Sequence, residues 1–189
     1  MVDIQLIQCK EHLNLQNIAR DNGIMPLPNL IHRQYKKRIM IHPTSSKKMK
    51  NWPAEKFIKL VKILTNKGYE VFFIVPQEER ALWEKIIPSP SMLPNFSSLS
   101  EIALWIYESN YFIGNDSGMG HLASCLGIPT LSIISRSGMA RMWRPAWGKG
   151  IVVTPTSLIP SRKLKEKIWK HFVSVKKVAK EFIRISSWV

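Results

Sequence analysis

A buried strand that runs into a helix through a glycine-containing polar turn is the feature that most constrains this chain. The apolar run 111–113 predicts the strand, and the segment 114–118 (Gly-Asn-Asp-Ser-Gly) predicts the turn. An apolar helical pattern follows at once and continues to Leu126. Units of this kind belong to α/β folds with a parallel sheet. Free backbone N–H groups in the turn, together with the partial positive charge of the helix N-terminus, favour a bound phosphate.

Two side chains of this segment have chemistry that fits an anion site, and each has a second interpretation. His121 lies four residues past Ser117, about one helical turn inside the predicted helix and on the same side. Its ring is either a hydrogen-bond donor to a phosphate or a satisfied histidine packed under the helix. Asp116 either caps the helix through its carboxylate or binds a sugar hydroxyl in the cleft.

The rest of the chain continues the alternation of strands and helices. We predict strands over 38–42, 70–75, 111–113, 130–134 and 150–153. Helices are predicted from Trp52 to the stop at Lys67-Gly68, over 78–87, from Ser98, and from the glycine turn to Leu126, with a short helix around 14–21 and a final helix over 163–185. This order predicts a doubly wound, parallel, Rossmann-like sheet, which binds ligands outside the carboxyl ends of its strands.

The predicted final helix is amphipathic and strongly basic. Its apolar stripe consists of Ile168, Phe172, Val175, Ala179 and Phe182, and lysines populate much of the remainder. Two interpretations follow. The helix packs on its own domain or on a missing partner domain, or it lies on an anionic membrane surface.

Charge and composition narrow the classes of partner. The chain of 189 residues has a formal net charge of +15, which indicates an anionic partner such as a nucleotide, a phosphorylated glycolipid, a membrane surface or nucleic acid. No apolar run approaches the ~18 residues that span a bilayer, and no recognised nucleic-acid motif is present. Two cysteines do not indicate a disulfide framework, so a reducing cytoplasm is expected. The histidines and acidic residues have no metal-ligand spacing, so no metal cofactor is expected.

Three further loops follow predicted strands at the same edge of the sheet. The hydroxyls of Thr44 and Ser45 suit phosphate oxygens, although such loops are also common turns. Lys50, at a helix entry, either neutralises a diphosphate or is one more solvated lysine. Glu78 either holds a ribose hydroxyl or is a helix-start glutamate favoured by the dipole.

Taken together, these motifs resemble glycosyltransferase family 9, the ADP-heptose:lipopolysaccharide heptosyltransferases. The resemblance rests on His42-Pro43-Thr44-Ser45, Lys50-Asn51-Trp52-Pro53, Pro76-Gln77-Glu78 and Gly114-Asn115-Asp116-Ser117-Gly118 followed by His121-Leu122-Ala123. It implies the C-terminal, donor-binding half of a two-domain GT-B fold. Residues 1–37 would be a linker-like segment, 38–160 the nucleotide-sugar-binding domain, and 161–189 the basic C-terminal helix.

The resemblance also implies roles for the candidate residues. Thr44, Ser45, Lys50, Asp116, Ser117 and Gly118 would hold the diphosphate and heptose of ADP-heptose, Glu78 the ribose, and His121 would lie beside the phosphates. Transfer to a lipopolysaccharide inner-core acceptor would invert the anomeric carbon without a metal. The catalytic base is expected in an N-terminal domain that these residues do not supply.

Two functional hypotheses remain open on the sequence. The chain is either the donor half of a heptosyltransferase that needs a separate N-terminal half, or a non-catalytic module for an anionic glycan, lipid or protein partner. The expected location is the cytoplasm, peripheral to the inner membrane, and no specific nucleic acid is expected as a partner.

Overall fold

The computed structural model describes residues 2–19, 21–26, 28–135, 138, 140, 143–155 and 168–188. Five parallel strands form one sheet in the order β2-β1-β3-β4-β5. The strands are β1 (Tyr35–His42), β2 (Glu70–Phe73), β3 (Ser109–Asn115), β4 (Thr130–Ile133) and β5 (Gly150–Val153). The helices are α1 (Val2–Leu13), α2 (Ala54–Thr65), α3 (Gln77–Glu84), α4 (Leu99–Glu108), α5 (Gly118–Cys125) and α6 (Val175–Ser186). The predicted α/β fold with a doubly wound parallel sheet is confirmed.

The central strands are buried on both faces, as their uninterrupted apolar sequences predict. Every residue of β3 and of β4 is buried. On one face, α2 and α6 cover a core that contains Trp52, Phe57 and Phe182. On the other face, Ile106 of α4 and Ala123 of α5 pack with Phe112 of β3.

The register of the strands aligns the carboxyl ends of β1 and β3. His42 of β1 lies opposite Gly114 of β3. A Cβ atom on Gly114 would lie 2.8 Å from Cε1 of Phe112 and 3.1 Å from the His42 carbonyl oxygen. Glycine is therefore required here for the two strands to end side by side.

The helix predicted around 14–21 is wrong. The helix of this region is α1, and it ends before Asn14, whose φ of 52° is left-handed. Beyond it, the Asp21 and Asn22 side chains accept hydrogen bonds from the Gly23 and Ile24 N–H groups, at 2.8 Å and 3.0 Å. Such local bonds offer the backbone an alternative to a helix. The linker-like segment 1–37 also includes the start of β1 at Tyr35.

The single final helix predicted over 163–185 is also wrong, and residues 163–167 lie outside the described residues. A 3-10 turn spans Trp169–Phe172, Val173 and Ser174 are extended, and α6 follows with the Ser174 hydroxyl accepting from Lys177 N at 3.1 Å. Phe172 of the predicted stripe is 40% exposed, while Trp169 and Val173 are fully buried. The expected packing of the helix on its own domain is confirmed by the contacts of α6 with α2, β4 and β5.

No helix of the described residues combines the length and the apolar character that crossing a bilayer requires.

Candidate functional site

The loops that follow β1 and β3 meet at the carboxyl edge of the sheet. An ion pair joins them, with Lys50 Nζ 2.7 Å from Asp116 Oδ2. The lysine side chain is 35% exposed and the aspartate side chain 14%. The pair is therefore partly exposed at this edge of the sheet, where the lysine can still meet an incoming anion.

Asn115, the last residue of β3, holds the surrounding backbone together. Its side-chain oxygen accepts a hydrogen bond from the Trp52 N–H at 3.0 Å, and its amide donates to the Pro43 carbonyl at 2.5 Å. The residue is 1% exposed. One buried side chain thus connects the end of β1, the start of α2 and the glycine turn, and it satisfies polar groups that would be costly to bury alone.

The two hydroxyls after β1 lie in different surroundings. Ser45 Oγ is half-buried and lies 2.6 Å from Asn51 Oδ1 and 3.0 Å from the Lys47 carbonyl oxygen. Thr44 is only 2% exposed, and its Oγ1 lies 3.4 Å from His42 Nε2. Ser45 is therefore the more accessible of the two hydroxyls to a ligand.

His42 is a buried neutral histidine rather than a group exposed in the cleft. Its Nδ1 lies 2.8 Å from the Ile74 carbonyl oxygen, so that nitrogen carries the proton and donates. Nε2 is then the acceptor that faces Thr44. Desolvation by burial lowers the pKa of His42, although the bond to Ile74 opposes the shift. The ring joins β1 to the end of β2.

The start of α5 is the most ligand-like part of the site. Ser117 occupies the N-cap position with extended backbone, yet its hydroxyl makes no capping bond. Its Oγ is shielded from solvent and has no hydrogen-bond partner among the described residues. Beside it, a Cβ on Gly118 would find no described atom within 4 Å. An unsatisfied hydroxyl next to open space and free helix N–H groups is suited to an anion.

Two predicted site residues have side chains without hydrogen bonds or ion pairs to other described residues. Glu78 is exposed in the first turn of α3, which follows the strand next to β1. His121 is half-buried in α5. Neither side chain makes a hydrogen bond or ion pair with another described residue, so the roles of both remain predictions.

Two residues that hold the site together were not predicted as functional from the sequence: Asn115 and His42. The signal for Asn115 was available, since an amide directly after an apolar buried strand needs partners in the interior. For His42, nothing in the sequence indicated that the end of β2 would supply a carbonyl oxygen. Among the described residues there is no group of three or more histidine, cysteine, aspartate or glutamate side chains that could hold a metal ion.

The comparison with known families shows which family the chain belongs to. The sequence model of glycosyltransferase family 9 (heptosyltransferase) matches residues 4–173. The chain belongs to this family. The predicted resemblance to glycosyltransferase family 9 is thereby confirmed.

Individual family 9 relatives agree with this assignment. Lipopolysaccharide heptosyltransferase 3 of Escherichia coli strain K12 is 26% identical over 121 residues, which cover 60% of this chain and 35% of that protein. A glycosyl transferase family 9 structure from Veillonella parvula has a TM-score of 0.68 at 18% identity and covers 100% of this chain. The Escherichia coli ADP-heptose lps heptosyltransferase II has a TM-score of 0.64 at 19% identity and covers 80%.

The chain is much shorter than these family 9 proteins. It spans 35% of the curated relative, 52% of the Veillonella parvula structure and 46% of heptosyltransferase II. An Escherichia coli heptosyltransferase solved with ADP has a TM-score of 0.61 at 16% identity, and this chain covers 46% of it. At these identities the structures establish the fold, which is that of one part of the longer proteins.

Proposed function

We propose that this chain is the donor-binding half of a lipopolysaccharide heptosyltransferase, with ADP-heptose held at the carboxyl edge of the sheet. The observation that carries the proposal is the pairing of Lys50 with Asp116 at 2.7 Å, next to the unsatisfied hydroxyl of Ser117 at the start of α5. A cation, free N–H groups and a spare hydroxyl converge there, and a diphosphate uses all three.

Each predicted residue has a place in this arrangement. The diphosphate lies between Lys50 and the N-terminus of α5, where Ser117 and Gly118 border it, and Asp116 orients the lysine and contacts the sugar. Ser45 donates to a phosphate oxygen, with the more deeply buried Thr44 supporting the loop. Glu78 meets the ribose and His121 the phosphates. When ADP leaves, Lys50 and the helix N-terminus stabilise the charge that develops on it.

Transfer itself needs groups from outside this chain in our proposal. In the proposed site, the Asp116 carboxylate is paired with Lys50 and the Glu78 carboxylate is assigned to the ribose, so neither is assigned as the base that deprotonates an acceptor hydroxyl. The family 9 proteins to which the chain was compared are about twice as long, and a separate N-terminal half would supply the acceptor site and the base. The reaction then inverts the anomeric carbon without a metal, and the lipopolysaccharide inner core is the acceptor.

Calorimetric titration with ADP tests the donor site. We expect the wild-type chain to bind ADP, and Lys50→Ala to weaken binding by about tenfold or more, since a charge-assisted bond contributes about 1.5–3 kcal/mol. Lys67→Ala is the matched control, because Lys67 is an exposed lysine just beyond α2. Absence of binding at millimolar ADP, or equal affinity of wild type and Lys50→Ala, would contradict the proposal. Chelation with EDTA should leave the affinity unchanged.

A non-catalytic module for an anionic partner is the competing proposal. It is consistent with the same fold and the same charge of +15. It predicts no heptose transfer, whichever N-terminal half is added to the chain. Mixing the chain with candidate N-terminal halves and measuring heptose transfer to a lipid A–Kdo acceptor separates the two. Restored transfer excludes the non-catalytic module.

The exposed side of α6 supports peripheral contact with an anionic membrane at the cytoplasmic face. Basic side chains dominate it together with the exposed Ile183, and two aromatic residues flank it. Ile183 is 47% exposed, Trp188 39% and Phe172 40%. Basic residues beside exposed aromatic ones are attracted to an anionic lipid surface, while the apolar stripe of α6 stays packed in the core. The exposed basic residues are Lys176, Lys180 and Arg184. Co-sedimentation with anionic vesicles, lost in Lys176→Glu/Lys180→Glu and absent with neutral vesicles, is the expected result.

A further inference from the structure

The loop that carries Lys50 has no apolar anchor of its own. Its 3-10 turn, Lys48–Lys50, has no buried residue, and Met49 is 58% exposed. Within the loop, Lys50 N donates to the Lys47 carbonyl at 2.8 Å and Asn51 N to the Lys48 carbonyl at 3.2 Å. These two turn bonds and the Ser45 hydroxyl bonded to the Lys47 carbonyl restrain the lysine-rich segment only weakly, because its like charges repel and water competes for its exposed hydrogen bonds.

A distant segment supplies the missing restraint. The indole N–H of Trp169 donates to the Met49 carbonyl at 3.0 Å, and Lys170 Nζ donates to the Lys48 carbonyl at 3.3 Å. Both contacts join residues more than a hundred positions apart and reach the backbone of the 3-10 turn itself. We call these two hydrogen bonds the carbonyl clamp.

The base of the carbonyl clamp is rigid. Trp169 and Val173 are fully buried, so the segment that donates to the loop is fixed in the core. The Val173 carbonyl accepts from the Trp52 indole N–H and from Lys56 Nζ, both at 3.0 Å, and Lys56 Nζ also donates to the Lys170 carbonyl at 2.5 Å. Hydrogen bonds from Trp52 and Lys56 thus join the start of α2 to the segment 170–173, which follows Trp169.

We propose that Trp169 is a positioning residue for the donor site, which through the carbonyl clamp holds the loop 47–50 so that Lys50 stays directed at the glycine turn. This inference rests on the proposed function for its ligand, the diphosphate of ADP. It assigns a role in donor binding to the C-terminal segment, far along the chain from the residues that contact the nucleotide.

The substitution Trp169→Phe tests the carbonyl clamp, since it keeps an aromatic ring in the core and removes the N–H. Trp105→Phe is the matched control, because Trp105 packs with Phe72 and Phe96 on the other face of the sheet. Amide hydrogen exchange is measured without ligand. We expect the amides of Lys50 and Asn51 to exchange faster in Trp169→Phe and at the wild-type rate in Trp105→Phe. Unchanged exchange in Trp169→Phe would overturn the inference. If Trp169→Phe does not fold, Lys170→Met is compared in the same way.

Nucleotide binding then shows whether the carbonyl clamp acts through Lys50. We expect Trp169→Phe to weaken ADP binding about two- to tenfold, the range for one hydrogen bond, and to leave adenosine binding unchanged. In a Lys50→Ala background the same substitution should have no further effect. An equal loss in both backgrounds would overturn the positioning role. If the wild type binds no ADP, the proposed donor site fails, while the exchange rates still decide whether the carbonyl clamp holds the loop.

Discussion

At the scale of single residues, the site depends on buried polar side chains, and the fold satisfies most of them but leaves the Ser117 hydroxyl without a partner. His42 is the clearest case, since its two ring nitrogens face the Ile74 carbonyl and the Thr44 hydroxyl. Burial disfavours the charged form of this ring and lowers its pKa, and in the neutral ring Nε2 accepts from the Thr44 hydroxyl. Its environment therefore makes the folded state sensitive to protonation.

The pKa of His42 gives a prediction for stability against pH. Burial lowers this pKa below the ordinary 6.5, so the unfolded chain binds more protons just below pH 6.5. The free energy of unfolding then falls as the pH decreases from 6.5 through the folded-state pKa, and it is recovered above pH 6.5. Chemical denaturation between pH 5 and pH 8 measures the slope.

We expect His42→Gln to reduce that slope, because glutamine does not titrate. His32→Gln is the control, since the pKa of His32 is lowered in the same direction but its ring is largely exposed. A slope that is unaltered in His42→Gln and reduced only in His32→Gln would contradict the assignment to His42.

At the scale of elements, β3 carries a buried asparagine at each end, and only one belongs to the site. Asn115 binds Trp52 N–H and the Pro43 carbonyl at the carboxyl end. Asn110, near the amino end, accepts from Arg33 Nε at 2.7 Å and donates to the Lys36 carbonyl at 2.8 Å. The two side chains have the same chemistry and similar burial, at 1% and 4% exposure.

Because Asn115 and Asn110 are so similar, substituting each of them distinguishes an effect on stability from an effect on ADP binding. Asn115→Ala and Asn110→Ala should each lower the free energy of unfolding by about 2–4 kcal/mol, because two buried hydrogen bonds are lost and their partners are left unsatisfied. Only Asn115→Ala should also weaken ADP binding, measured by calorimetry under conditions where both variants are folded. Equal ADP affinity in the two variants would show that Asn115 does not shape the site.

The sequence predicted the regular elements better than their ends. The apolar runs at 70–75, 111–113 and 130–134 gave the strands and hence the parallel sheet, because period and β-branching are local properties. The prediction of the final helix was wrong, because the extended backbone at Val173 is held by hydrogen bonds from Trp52 and Lys56 to the Val173 carbonyl, and both donors are remote in sequence. The placement of Lys50 and Asp116 at the same edge of the sheet followed from strand order, whereas their ion pair and the carbonyl clamp on the loop of Lys50 were not predicted.

At the scale of the whole molecule, the net charge of +15 creates a long-range attraction for anions. We expect the ADP affinity to fall as NaCl is raised from 50 to 500 mM, because salt screens that attraction. Adenosine, which is uncharged, should bind with little dependence on salt. Calorimetry with both ligands over this range is the measurement, and an ADP affinity independent of salt would place the recognition in local hydrogen bonds instead.

The ion pair between Lys50 and Asp116 has a consequence for selectivity. In the free protein the aspartate is the counter-ion of the lysine, so an incoming ligand must exchange one anion for another. A chloride ion brings a single diffuse charge and gains little from that exchange. A diphosphate brings more charge and several acceptor oxygens, so it can draw the ammonium towards itself while the helix N-terminus takes up the remainder. If the proposed donor site is correct, we therefore expect the ion pair to release Lys50 to a polyvalent anion in preference to a monovalent one.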